Sequence, residues 1–275
     1  MNIDFNEQSI FFSSGGVEWQ AGLPTLVMQH GAGLDRTVWV LLARYFARHG
    51  FNVVTLDLPG HGASDGEPFT TIEQNAQWLN DIVTHLINTT VLESDNLIYC
   101  GHSMGSLVVL EAASLLVASE NSAKVDKLLL LGCAVPMVVG DALLNAARDN
   151  DHAAIDMINM FGHSYGSRIG NNKISGINVY NTMEALLERA EPGVLFADLN
   201  ACNEYKQGEA AASALAGKVN ATVIAGDADR MTPTKLGKKL AQTLGANFSL
   251  LNDCGHMMMS EKPEDTLQAM KHALS

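Results

Sequence analysis

Short, largely apolar runs alternate with helical patterns along most of this chain, and that rhythm constrains its fold more than any single motif. The runs are TLVMQ at 25–29, VVTL at 53–56, LIYC at 97–100, LLLL at 128–131, ATVIAG at 221–226 and FSLL at 248–251. Strands apolar at every position are buried on both faces, as in a parallel sheet covered by helices. Helical periodicity falls between them, at 37–49, 72–86, 106–118, 233–244 and 263–274. Gly50 is placed as a stop, and Thr71 with Gln74 forms a capping box. The expectation is an α/β fold with a mostly parallel central sheet and helices on both faces. An opening hairpin is also expected, pairing 9–12 with 17–20 around Ser13-Ser14-Gly15-Gly16.

The rhythm breaks between residues 136 and 217. No strand-like run occurs there, but helical stretches do, at 141–147, 152–161 and 182–189, interrupted by a polar, glycine-rich segment at 162–176. This reads as a helical cap or lid lying over the carboxyl edge of the sheet, so that 1–135 and 218–275 form the core. With 275 residues and 47% apolar content, the chain can fill one large core and a small appendage.

Charge and cysteine usage narrow the partners. Seventeen basic residues against 30 acidic ones give a net charge of -13 with no basic cluster, which argues against nucleic acid and anionic membranes. Cys100, Cys133, Cys202 and Cys254 are far apart and lack zinc-ligand spacing, so no metal is expected and buried reduced thiols are. The N-terminus has no basic start and apolar run, and no 18-residue apolar stretch exists, so the expectation is a soluble cytoplasmic protein. A homodimer is left open.

The strand at 97–100 runs into Gly101-His102-Ser103-Met104-Gly105 and then into a helix. Glycines two residues either side of a serine, at a strand-to-helix turn, match a nucleophile elbow, whose strained backbone lifts the hydroxyl above the sheet. Such a serine needs a base to take its proton and a carboxylate to orient that base. Both are on offer, in the order this topology uses. Asp227 and Asp229 follow the strand at 221–226, and His256 follows the strand at 248–251. Of the two aspartates, Asp227 abuts the strand and suits turn amides; Asp229 lies deeper in the loop and is the better orienting acid. Backbone amides of Met104, after the serine, and of Ala32, in a glycine-rich loop after the strand at 25–29, are the expected oxyanion donors. That loop contains no G-x-G-x-x-G and no P-loop lysine, which disfavours a phosphate cradle.

The motifs HGAG at 30–33, DLPGHGAS at 57–64, GHSMG at 101–105 and GDADRMTP at 226–233 followed by Gly255-His256 together resemble the α/β-hydrolase fold with a helical cap, over nearly the whole length. The resemblance implies an oxyanion amide in the first motif and a structural turn in the second, which assigns Asp57, His61 and Ser64 to structure. It also supports Asp229, four residues before Pro233, as the triad acid. His102 is expected to shape the elbow.

A serine nucleophile sets the chain apart from epoxide hydrolases and dehalogenases of this fold, which use aspartate. The resulting expectation is a cofactor-free serine hydrolase of small carboxylic esters, lactones or thioesters, working through an acyl-enzyme with an apolar acyl group. Met137, Met157, Met160, Phe161 and Met257 are the candidate substrate contacts, with Leu143 and Met183 as further pocket or cap-core residues. A ligand-sensing receptor with vestigial turnover, a carbon–carbon bond hydrolase and an acyltransferase share the same triad and remain open.

Overall fold

The computed structural model describes residues 1–119, 125–170 and 177–275. Its centre is an eight-stranded sheet in the order β1-β2-β4-β3-β5-β6-β7-β8, formed by β1 (Asn2–Phe5), β2 (Gln8–Ser13), β3 (Thr25–Gln29), β4 (Asn52–Leu56), β5 (Leu97–His102), β6 (Val125–Leu131), β7 (Asn220–Gly226) and β8 (Asn247–Leu251). From β4 to β8 every pairing is parallel; β1 and β2 add antiparallel at one edge. The expected α/β architecture is therefore present.

Helices cover both faces because successive residues of each buried strand point to opposite sides. Val27, Tyr99, Leu128, Leu130 and Val223 join one core, under α2 (Ile72–Thr89), α3 (Met104–Ala118) and α10 (Thr234–Leu244). Leu26, Met28, Ile98, Cys100, Leu129, Leu131 and Ile224 join the other, under α1 (Val40–Ala47) and α12 (Pro263–Leu274). At the head of α2, Thr71 Oγ1 accepts the Gln74 N–H at 3.1 Å, but the Gln74 side chain returns to Thr70 N at 3.2 Å, one residue earlier than the expected box.

The N-terminal hairpin differs from expectation. β2 pairs with β1, and the tight turn is Asn6-Glu7, both with positive φ (52° and 64°), as two-residue hairpin loops demand. Residues 17–20 form no strand: the other edge of β2 is taken by β4, and Trp19 stacks on Phe12 and donates Nε1–H to the Val53 carbonyl. Gly15 and Gly16 serve a different turn, where a side chain on Gly15 would lie 2.5 Å from the Ala43 carbonyl.

Between β6 and β7 the described residues contain helices α4 (Asp141–Arg148), α5 (Ala153–Gly162), α6 (Tyr165–Arg168), α7 (Val179–Leu187), α8 (Val194–Glu204) and α9 (Gly208–Leu215). α8 and α9 are absent from the sequence expectation, in which 162–176 is a polar, glycine-rich spacer. Part of that spacer is the one-turn α6, and 171–176 lie outside the described residues. The insertion has its own apolar cluster, built from Leu143, Leu144, Ile158, Met183, Leu187 and Leu199, which also takes in Leu34 and Met257. All four cysteines are buried free thiols. Burial pushes the Cys133 thiol up to about 12. No helix among the described residues is long and apolar enough to cross a membrane.

Candidate active site

Strand order reverses at β3: β4 lies on one side of it and β5 on the other. In open α/β sheets the carboxyl ends of the strands at such a point form a crevice. The loops leaving β3 and β5 there carry Ala32 and Ser103, and both residues line one cavity of about 220 Å³.

Ser103 has φ 55° and ψ −123°, a conformation that side chains rarely adopt. Its neighbours make this turn feasible. A side chain on Gly101 would sit 2.2 Å from the Gly105 carbonyl oxygen, and one on Gly105 would sit 2.3 Å from that of Gln29. Glycine at both places lets α3 start directly against β3 and β5. Ser103 N–H donates to Leu131 O, and Ser106 Oγ donates to Gly101 O, pinning the turn. The hydroxyl-bearing residue stays half-buried, and Met104 N is the first N–H of α3, at the positive end of the helix dipole.

His256 and Asp229 are brought together. His256 Nδ1–H donates to Asp229 Oδ2 at 2.8 Å, and both side chains are almost fully buried. The remaining acceptor positions of Asp229 are filled by Met231 N and Thr232 N on Oδ1 (2.8 Å each) and by Thr232 Oγ1 on Oδ2 (2.6 Å). Burial would raise the pKa of Asp229, but the charge of His256 and these hydrogen bonds outweigh it, leaving the carboxyl below its ordinary range. An ionised Asp229 fixes the imidazole with Nδ1 as donor, which leaves the Nε2 lone pair to accept a proton. Asp227, the other candidate, accepts Cys254 N–H at 3.2 Å, a turn contact.

His102 packs its ring 4.7 Å from that of His256 and donates Nε2–H to the His256 carbonyl at 2.9 Å. Burial and the neighbouring His256 push its pKa down to about 3, so it stays neutral and holds the His256 backbone. His30 is neutral too, pushed down to about 4 by burial and by His61. Its Nδ1–H donates to Gly31 O, and its Nε2 accepts Leu58 N–H. Asp57 accepts from Arg36 N, the Arg36 guanidinium and Ala63 N, and Ser64 Oγ–H donates to its carbonyl. A Gly62 side chain would lie 2.4 Å from the Asp57 carboxylate. These residues shape the loops.

Residues the sequence reading did not single out tie the insertion to this site. Asp198 of α8 accepts Gly33 N–H and pairs with His61, both at 2.8 Å. The Gly162 carbonyl at the end of α5 accepts His256 N–H at 2.7 Å. Buried Glu261 accepts Gly255 N–H and Ser164 N–H, bridging the His256 loop to the segment before α6. None of the three lies in a motif, and each of these bonds between the insertion and the core spans more than 90 residues of sequence, which no local pattern reports.

Met137, Leu143, Met157 and Phe161 line the Ser103 cavity, with Val139, Leu199, Arg230, Met231 and Thr232 among its other walls. Met160, Met257 and Met183 do not. Met157 and Phe161 are one helical turn apart on α5, which turns Met160 outward to 37% exposure. Met257 and Met183 are buried in the insertion's own apolar cluster. A larger cleft of about 480 Å³, lined by Arg36, Arg44 and Arg48, contains none of the residues discussed for chemistry. Among the described residues, the one cluster with metal-ligand donors is His152, Asp156 and Glu184, none of which lines the Ser103 cavity.

The chain matches the model of the alpha/beta hydrolase family over residues 26–269 and belongs to that family. Three relatives show the range around it. A pimeloyl-[acyl-carrier protein] methyl ester esterase of Aromatoleum aromaticum is 28% identical over 88% of this chain and 94% of its own length. An (E)-2-((N-methylformamido)methylene)succinate hydrolase of Acinetobacter baylyi is 35% identical, but over 39% of this chain, and the match spans 36% of that relative. The enol-lactonase of Burkholderia xenovorans superposes with a TM-score of 0.80 at 21% identity, covering 100% of this chain and 99% of the other. That last likeness is one of fold.

Proposed function

We propose that this protein is a serine hydrolase of carboxylic esters or lactones that works through an acyl-enzyme. Ser103 attacks the acyl carbon, His256 Nε2 takes the hydroxyl proton and returns it to the leaving alcohol, and Asp229 holds the imidazole and stabilises the imidazolium. The Ala32 and Met104 amides receive the oxyanion of the tetrahedral intermediate. Water then enters, His256 removes its proton, and a second tetrahedral intermediate collapses to release the acid and restore Ser103. The helical insertion acts as the cap that supplies the acyl-group walls.

The observation that carries this reading is the buried Asp229–His256 pair at 2.8 Å, bonded to Thr232, which shares the lining of one largely apolar cavity with the strained Ser103. The esterase name of the Aromatoleum relative accords with an ester-acting hydrolase. A fluorophosphonate, which phosphonylates an activated serine, tests it: covalent labelling at Ser103, lost in His256→Ala, is expected. Absence of labelling in the folded wild type contradicts it.

A further inference from the structure

Among the residues that line the Ser103 cavity, one is charged. Arg230 directly follows Asp229, in a loop whose backbone is clamped by the two bonds from Asp229 Oδ1 to Met231 N and Thr232 N. Its guanidinium lies 4.8 Å from the centroid of the Phe161 ring, on another cavity wall. The rest of the lining is apolar or uncharged: alanines, glycine, valines, leucines, methionines, a phenylalanine, a cysteine, Ser103 and Thr232.

Among the described residues no carboxylate pairs with Arg230. Asp229, its neighbour in sequence, has both oxygens committed to His256, Met231 and Thr232. Asp198 is committed to Gly33 and His61. An arginine with no carboxylate partner among the described residues, exposed at the edge of an apolar cavity and resting over an aromatic face, is placed to meet a planar anion that enters that cavity. Guanidinium and carboxylate match in geometry and form paired charge-assisted hydrogen bonds.

We propose that Arg230 binds a carboxylate on the substrate, so that the preferred substrates are esters or lactones carrying a second, remote carboxylate, such as half-esters of short dicarboxylic acids. The inference rests on the hydrolase reading above and adds the substrate class to it. The apolar walls take the methylene chain, Ser103 meets the ester at one end, and Arg230 meets the carboxylate at the other.

The test uses the full chain and matched ester pairs: monoethyl succinate, glutarate, adipate and pimelate against ethyl esters of the corresponding monocarboxylic acids, with acid release followed by pH-stat. The expected result is a kcat/KM ratio favouring at least one half-ester by about tenfold, the size of one net charge-assisted contact. In Arg230→Met that ratio falls to about one, chiefly through KM, and Arg230→Lys recovers part of it. Because the ratio is taken within each variant, a loss of folded protein cancels. Added salt should also raise KM for the half-ester more than for the neutral ester.

Neutral esters preferred by the wild type, or a ratio unchanged in Arg230→Met, overturns the inference while leaving the hydrolase reading intact. Turnover of neither partner overturns the inference as well, and fluorophosphonate labelling of Ser103 in the same sample then decides whether the hydrolase reading falls with it.

Discussion

Asp198 Oδ2 lies 2.8 Å from His61 Nε2 and 2.8 Å from the backbone nitrogen of Gly33, so one carboxylate oxygen on α8 holds two loops at the carboxyl edge of the sheet. Gly33 follows Ala32, whose amide is the proposed oxyanion donor. Removing a partner from a buried ion pair strands the other charge and costs about 3 kcal/mol or more. Asp198→Ala should therefore lower the unfolding free energy by about that amount in urea titration. It should also depress kcat more than it raises KM, because the misplaced amide matters most when the oxyanion forms. A loss of stability with kcat unchanged would separate Asp198 from the oxyanion loop.

The same pair predicts a pH dependence. Burial disfavours the His61 cation, but the Asp198 charge and hydrogen bond outweigh it and raise the pKa above 6.5. Both ring nitrogens have acceptors, Nδ1–H on Pro59 O and Nε2–H on Asp198, as an imidazolium requires. Asp57 also raises the pKa, while the ring of His30, 5.0 Å away, stays neutral. A folded pKa raised above the unfolded one gives stability that is complete below about pH 6.5 and is lost as pH rises through the folded value. The stability gap between wild type and His61→Gln should be widest near pH 6 and shrink under alkaline conditions. A gap that grows with pH would reverse the assigned charge.

Asp229→Asn keeps the shape of the acid but changes the hydrogen-bonding role of the side chain. In serine hydrolases the loss of this orienting charge costs about 10⁴-fold in kcat. A drop of about that order is expected here, with KM nearly unchanged, in steady-state hydrolysis of an activated ester. Asp227→Asn should stay close to wild type. Equal losses in the two variants would undo the choice between them.

Gly101→Ala and Gly105→Ala place a methyl carbon 2.2 Å and 2.3 Å from carbonyl oxygens, in rigid backbone that cannot yield. Both should fall several degrees or more in thermal unfolding, as overpacking of about 1–3 kcal/mol requires. Gly140→Ala, with open space around it, serves as the neutral comparison.

The sheet and the proposed catalytic residues were legible because each rests on one local pattern: an apolar run, glycines around a serine, an aspartate or histidine after a strand. What was missed depends on contacts distant in sequence. The buried face of α8 carries Asp198 and Cys202 beside Val194 and Leu199, so the carboxylate that reaches Gly33 also interrupts the apolar stripe that would have marked the helix. α9 begins at Gly208, where a side chain would lie 2.7 Å from Val135 Cγ1; close packing selected a residue that reads as a turn. The hairpin was misplaced because Asn6-Glu7 supplies positive φ without glycine, while Gly15-Gly16 drew attention to the wrong turn. Nothing in its own loop marks Arg230; its place over the Phe161 ring exists only in the fold.

The central claim is that Ser103 carries the acyl group between two steps. Rapid quenching of the wild type with p-nitrophenyl butyrate, followed by intact mass and peptide mapping, should reveal a butyryl adduct on Ser103. His256→Ala should fail to form the adduct at a comparable rate, and Ser103→Ala should lose about 10⁴-fold or more in kcat. Hydrolysis retained in Ser103→Ala, or an adduct mapped to any other residue, would contradict the account.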